Sequence, residues 1–432
     1  MLENTRPSDP RLKWILACTI CVLTALGTFL NLFSLIGFAV FVYVIAFCNS
    51  TDALVVIVLT MPFANIFKTS PSAQSLFTYI LLGYVAYKLI LGESASNEFW
   101  ITFTLFLIFA CIQCLMSVNI LRTIKFFANF LFIYFGLQDA KGHEKDVFLG
   151  YTAGVVSSSA ISWLKLLPNL SKYIRIKSTN TSGGYMVRFA GMYADPNYYA
   201  VNVIIAFCLV VILYYRKELK TVPFALLSLA LSFFAVMTYS KSAILMLSIP
   251  VILFLYSNSK NRRYFLQIVC FLGLFIFALY VVAGKVDFLA TIMERFQKAE
   301  NLNQLTTGRF NLWQKYMRSF SRSAVHLVVG NGFGAKLVDG AAAHNTYIDM
   351  VYYLGIAGIA LMLRLLYVTI LDFQRNKRMR TFFNTCVIAV IAIMYFFLSM
   401  LFYFDIAFHL LLAIMVFNMD FQTPLSPQTI RM

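Results

Sequence analysis

Residues 195–217 read DPNYYAVNVIIAFCLVVILYYRK, and this stretch decides the fold. Between Asn197 and Tyr215 it carries no charge, and its length approaches the roughly 20 apolar residues that cross a bilayer as a helix. Asp195 followed by Pro196 is a strong helix start. The carboxylate caps free N–H groups, and proline suits the first helical position. Arg216, Lys217 and Lys220 close the run. Lysine and arginine collect in cytoplasmic loops, so this helix is expected to run inward, with its N-terminus and positive dipole end outside.

Working outward, similar runs recur along the whole chain. Candidate spans lie at 14–29, 31–48, 52–67, 75–91, 98–117, 120–137, 146–168, 197–215, 221–238, 240–257, 264–283, 344–366, 381–400 and 404–419. The divisions inside 14–48 and 98–137 are the weakest, so the expected count is about 12–14. Composition agrees. Of 432 residues, 60% are hydrophobic, 12% charged and 16% aromatic, and the mean hydropathy is +0.77. Soluble domains average about 25% charged residues. Disorder, coiled coil, a disulfide scaffold and a cytosolic enzyme are therefore excluded. The fold class is an all-α polytopic integral membrane protein, with short amphipathic helices in a long extracytoplasmic segment.

The net charge of +17 is read first as topology. No soluble basic domain is visible, so nucleic acid is not an expected partner. Basic clusters at 216–220, 260–263, 375–380 and Lys141/Lys145, with Arg6, Arg11 and Lys13, all fit one side. Both termini are then cytoplasmic, and Arg122 and Lys125 fall awkwardly outside. No signal-peptide cleavage site is evident. Cys18-x-x-Cys21 and Cys111-x-x-Cys114 sit in apolar surroundings and read as packing, not as metal ligands. The organisation expected is N-terminal spans over 1–168, an extracytoplasmic loop over 169–196, central spans over 197–283, a large extracytoplasmic loop over 284–343, and C-terminal spans over 344–432.

Both outer segments are basic, although outer loops are normally poor in lysine and arginine. Anionic headgroups explain part of such an excess; an anionic substrate is the sharper reading. In the first segment Arg188 precedes the Asp195-Pro196-Asn197 helix start, with Gly183, Gly184 and Gly191 between or before them. In the second, Phe288, Ile292 and Phe296 mark one amphipathic stripe; Phe310, Trp313, Tyr316/Met317 and Phe320 mark another. Such stripes describe helices lying in the outer leaflet. Thr306-Thr307-Gly308-Arg309 starts the second helix and puts Arg309 in its first turn, where free N–H groups and a guanidinium fork together suit a phosphate. Arginines snorkelling to headgroups are the plain alternative.

A third element is Gly330-Asn331-Gly332-Phe333-Gly334, followed by His344-Asn345-Thr346-Tyr347 at the mouth of another inward span. Of the four histidines, His143 lies in a cytoplasmic loop, His326 beside a strand-like apolar run, and His409 inside the last span as a structural hydrogen-bonding group. Only His344 joins a glycine-rich loop to a polar helix start. Lys241, in Tyr239-Ser240-Lys241-Ser242, sits at a tight outer turn and adds a cation. No carboxylate pair of glycosidase type stands out. A cation-rich outer face with one titratable base suits a lipid-linked diphosphate leaving group. Arginines stabilise the diphosphate charge in the transition state. Histidine, with an unperturbed pKa of about 6.5, takes a proton from an acceptor hydroxyl.

These motifs, in this order, resemble the bacterial O-antigen ligase and O-antigen polymerase (Wzy-type) family. The matching elements are Arg188-x-x-Gly191-x-x-x-Asp195-Pro196-Asn197-x-x-Ala200, Thr307-Gly308-Arg309-x-x-x-Trp313, Gly330-x-Gly332 and His344-Asn345-x-Tyr347 with Gly355-x-x-Gly358. They cover about 188–360; the N-terminal spans agree only in character. The resemblance implies a polyprenyl-diphosphate-linked glycan donor and an inverting transfer without metal or other cofactor, on the outer face of the cytoplasmic membrane. It implies catalytic roles for His344, Arg309 and Arg188, and substrate contacts at Lys241, Asp195, Asn197, Gly308, Trp313, Asn345 and Tyr347. Relatives often carry Ser-Arg where this chain has Ser240-Lys241, which loses the bidentate fork.

Polymerase is the expected activity on base rates, with a glycan acceptor. The alternative is a ligase or O-oligosaccharyltransferase that delivers the same donor glycan to a lipid or protein. Expected partners are membrane lipid, donor and acceptor, and a chain-length regulator or flippase. A transporter is disfavoured, because it needs polar groups along a central cavity and repeat symmetry, whereas the polar groups here gather at one face.

Overall fold

The computed structural model describes residues 11–174, 178–181, 184–258, 308–321, 323–374 and 381–419. The chain order is α1 (Leu12–Leu26), α2 (Asn31–Phe47), α3 (Ser50–Thr60), α4 (Leu76–Ile90), α5 (Asn97–Cys114), α6 (Ile120–Asp139), α7 (Glu144–Trp163) and α8 (Leu170–Tyr173). There follow β1 (Ser178–Thr181), β2 (Gly184–Val187), α9 (Pro196–Tyr215), α10 (Thr221–Met237), α11 (Lys241–Asn258), α12 (Arg309–Ser321), α13 (Ala324–Val329), α14 (Thr346–Phe373), α15 (Thr381–Phe396) and α16 (Asp405–Asn418). By length and composition α5, α6, α9 and α14 suffice to cross a membrane, and eight shorter apolar helices accompany them. The protein is an all-α polytopic membrane protein.

The expected span 264–283, the stripe 288–296, Gly183, Thr306, Thr307 and the basic clusters 260–263 and 375–380 lie outside the described residues. Every other expected span corresponds to a helix, with its ends reset by polar groups. The 344–366 run, for instance, begins at Thr346 after an Asn345 cap and continues to Phe373. Two readings need correction. The 169–196 loop contains a small antiparallel hairpin, with Ser178 opposite Val187 and Thr181 opposite Gly184. His326, read beside a strand-like run, lies in the short helix α13; six residues of apolar sequence do not separate strand from helix by periodicity.

Helix α9 occupies the centre of the bundle. Tyr199 to Leu213 are buried without interruption, as expected of a helix that is hydrophobic all round. It packs against α7, α10, α11 and α15. The sole deep polar group on its middle turns, Asn202, is fully satisfied. Tyr151 donates to its Oδ1 at 2.6 Å, and its Nδ2 donates to the Tyr198 carbonyl at 2.9 Å. His409 Nε2 lies 3.1 Å from the same Oδ1, and Tyr395 Oη lies 3.2 Å from His409 Nδ1. Because Oδ1 only accepts, Nε2 carries the proton and Nδ1 accepts from tyrosine. His409 is thus the structural hydrogen-bonding group expected of it.

The two ends of the bundle differ chemically. At one end buried lysines are locked by carboxylates. Lys13 lies 2.6 Å from Asp146 and 3.4 Å from Asp52, and Lys88 lies 2.9 Å from Asp139 and 2.8 Å from Glu93. This end also carries the loops with Lys141, Lys145, Arg216 and Lys217. The opposite end gathers the loops after α3, α5, α10 and α15, those before α9 and α14, and helices α12 and α13.

One distortion shapes that second end. Helix α14 breaks at Gly355, whose φ of 64° lies in the left-handed region. The carbonyls released by the break are not left bare. Gln113 donates to Tyr353 O at 2.9 Å and Leu354 O at 3.2 Å. The Asn331 and Gly332 N–H groups donate to Tyr352 O at 2.8 Å and Tyr353 O at 3.1 Å. The Gly330-x-Gly332 and Gly355 motifs therefore meet as one backbone-to-backbone junction, which satisfies groups that lipid cannot.

Candidate active site

Asp195 is the N-cap of α9, and Pro196 takes the first helical position. The Asp195 carboxylate accepts from the Asn197 N–H at 2.8 Å and from its Nδ2 at 2.9 Å. That fixes the Asn197 carbonyl oxygen outward, where it accepts from Arg188 Nη2 at 3.0 Å and Ser240 Oγ at 2.7 Å. Arg188 Nε donates to Thr238 O at 2.8 Å, and the residue is only 7% exposed. Asn197 thus ties together the hairpin's exit, the α9 start and the α10–α11 turn. Gly191 makes room for this arrangement: its φ is 54°, and a Cβ there would stand 2.6 Å from the Tyr199 ring.

Arg309 approaches from α12. Its Nη1 donates to Phe397 O at 2.8 Å. Burial lowers its pKa from the usual arginine value, and the field of Asp195 opposes the shift. A guanidinium stays charged regardless, so Arg309 and Arg188 both present fixed positive charge beside the Asp195 cap. Gly308, just before α12, has a φ of 83° and opens onto free space. Lys241 is the first residue of α11, next to Ser240.

His344 stands on a tight left-handed turn, with a φ of 51°. Histidine is among the few non-glycine residues enriched there. Both neighbours hold the turn: Trp313 Nε1 donates to Ala343 O at 2.8 Å, and the Asn345 side chain caps α14 by accepting from Tyr347 and Ile348 N–H groups at 3.0 and 3.1 Å. His344 and Asp195 line one cavity of about 540 Å³. Arg188 and Arg309 are not among its lining residues; Arg188 is held by Asn197, and Arg309 lies in the field of Asp195.

Trp313, Asn345 and Tyr347 face elsewhere. With Phe310, Met317 and Phe396 they line an almost wholly apolar groove of about 720 Å³ between α12 and α14. The expected α12 stripe is present: Tyr316 and Phe320 are buried, while Met317 is 59% exposed.

The cavity also contains residues that the sequence did not single out. Asp349 and Asp405 line it with Asp195. Each lies in the first turn of its helix, α14 and α16, where the helix dipole favours negative charge. Asp405 was legible as an ionisable residue between two apolar runs, a position that by default marks function. Arg122 and Lys125, awkward on topological grounds, line the same cavity. The short α15–α16 loop supplies Ser399, Leu401, Phe402 and Tyr403; Tyr198 Oη pins it by donating to Ser399 O at 2.7 Å. Among the described residues no group of three His, Cys, Asp or Glu side chains is placed to hold a metal ion.

Residues 226–363 match the family model Wzy_C, described as O-antigen ligase. The match covers about a third of the chain, and over that stretch the sequence is similar to the O-antigen ligase family. That stretch spans Lys241, Gly308, Arg309, Trp313, His344, Asn345, Tyr347 and the Gly330–Gly355 junction. Arg188, Asp195 and Asn197 precede it; Arg188 and Asn197 join the matched stretch through hydrogen bonds to Thr238 and Ser240. No curated protein matches the chain. That likeness supports a role in membrane glycan assembly.

Proposed function

We propose that the protein transfers a glycan from a polyprenyl diphosphate to an acceptor hydroxyl at the outer face of the bacterial cytoplasmic membrane. The observation that carries this reading is the grouping of Arg188, Asn197, Asp195 and Arg309 beside the cavity that holds His344. Two fixed guanidinium charges suit a diphosphate, and the neighbouring apolar groove along α12 suits its polyprenyl chain. In the reaction the acceptor oxygen attacks the anomeric carbon. The bond from that carbon to the phosphate oxygen breaks, and its electron pair leaves on the diphosphate. Arg188 and Arg309 stabilise the charge that builds there. His344 takes the hydroxyl proton, and attack opposite the leaving group inverts the anomeric centre.

In this reading the end bearing the site is extracytoplasmic. The end with Lys141, Lys145, Arg216 and Lys217, and with both termini, is cytoplasmic, in line with the inward bias of basic loops. The match to a model described as O-antigen ligase favours delivery to a terminal lipid or protein acceptor over the polymerase activity expected from base rates. A gel of lipid-linked glycans from cells with and without the protein tests the choice. A ligase leaves long chains stranded on the lipid carrier when it is absent. Accumulation of single repeat units instead would establish a polymerase, and no change in either pool would overturn glycosyl transfer.

A further inference from the structure

The cavity holding His344 continues into a second one of about 330 Å³. Asn65, Gln74, Lys125, Phe402 and Tyr403 line both, and Lys68 lines the second. Three cations therefore follow one another along this path: Arg122, Lys125 and Lys68. Arg122 donates to Phe333 O at 3.3 Å and stands 5.4 Å from the Phe402 ring centroid. Lys125 has only a long 3.3 Å contact to the Gln74 carbonyl oxygen. Among the described residues no carboxylate bridges Lys125 or Lys68, whereas Lys13 and Lys88 at the opposite end are each bridged by two; Arg122 lies in the field of Asp349 on the same cavity. All three are half-buried, and burial lowers the Lys68 pKa. Partly desolvated charge without a counter-ion is costly unless something negative arrives to meet it.

We propose that Lys68, Arg122 and Lys125 form a second anion subsite, distinct from the Arg188–Arg309 pair, that holds an anionic group of the acceptor, a phosphate or a sugar carboxylate. The proposal rests on the glycosyl-transfer reading for the word acceptor; the subsite itself rests on the cavity. The amides of Asn65, Gln74 and Asn129 and the rings of Phe402 and Tyr403 supply the hydrogen-bonding and stacking surface that a glycan uses.

The test uses the full chain in nanodiscs of neutral phosphatidylcholine, so that headgroups supply no net charge. Saturation binding of labelled farnesyl diphosphate should give two equivalents for wild type. One should be lost in Lys68→Gln/Lys125→Gln and kept in Lys68→Arg/Lys125→Arg. Saturation-transfer NMR with glucuronate provides the second arm. Loss of a diphosphate equivalent in the glutamine variant assigns an acceptor phosphate; loss of the glucuronate signal alone assigns a sugar carboxylate. Binding of both probes to that variant as to wild type overturns the subsite. Arg309→Gln separates the two readings. If it leaves the diphosphate stoichiometry unchanged while the lysine variant lowers it, the donor clamp fails and the subsite stands.

Discussion

Trp313→Phe isolates the support beneath His344. The indole Nε1 donates to Ala343 O at 2.8 Å, immediately before a histidine whose φ of 51° needs outside support. Phenylalanine keeps a ring against Phe396, whose centroid lies 5.1 Å away, but removes the donor. Ala343 is fully buried, so its carbonyl loses a partner that water does not readily replace. A net hydrogen bond is worth about 1 kcal/mol, and an orphaned buried acceptor costs about 1–3 kcal/mol. If about 1–2 kcal/mol of this appears as misplacement of the imidazole, turnover falls roughly 5–30-fold. Purified protein assayed with a synthetic polyprenyl-diphosphate glycan should show that fall in kcat with an unchanged donor KM. Trp313→Ala should in addition raise the donor KM, because it removes a wall of the apolar groove. Wild-type kcat in Trp313→Phe would refute the idea that this bond holds the base in place.

Three further outcomes are expected. Arg309→Lys should cut transfer at least tenfold, because a lysine cannot hold Phe397 O and a diphosphate oxygen with one planar fork; initial rates at saturating donor check this, and Lys241→Arg should be far milder. Gly191→Ala puts a Cβ 2.6 Å from the Tyr199 ring at a φ of 54°, which should destabilise the fold by about 1–3 kcal/mol and lower the thermal midpoint in detergent. Lys88→Met strands the Asp139 carboxylate, which is only 7% exposed. It should cost about 3–5 kcal/mol, and adding Asp139→Leu should recover much of that, as read from the yield of folded protein and its melting temperature.

The helices were legible because a bilayer enforces one pattern: long apolar runs whose backbone bonds close internally. The 195–217 stretch shows it, with Asp195, Pro196 and the basic residues after Tyr215 each taking the place that capping and sidedness assign. The hairpin at 178–187 was not legible, since its first strand, Ser-Thr-Asn-Thr, has no apolar residue and its second, Gly-Tyr-Met-Val, is too short to show alternation. Motifs also foretold more chemistry than they deliver directly. Gly330, Gly332 and Gly355, met in the sequence as motif glycines, close a junction across a broken helix. Trp313 and Asn345 turned out to hold the His344 turn from either side, while Tyr347 faces the apolar groove. What spacing along the chain cannot show is which loops converge. Asn65, Arg122, Asp349 and the Tyr403–Asp405 segment come from four separate parts of the sequence, and only packing of the helix ends brings them to one cavity. Arg122 and Lys125 did leave a trace, as basic residues on the wrong side for topology alone.

The most direct test of the account is single-turnover transfer by His344→Ala, with donor binding measured on the same preparation. Expected are wild-type affinity for the polyprenyl-diphosphate glycan and loss of transfer by at least about two orders of magnitude, the lower end of the range a general base contributes. Transfer at the wild-type rate in that variant, with the donor bound normally, would contradict it.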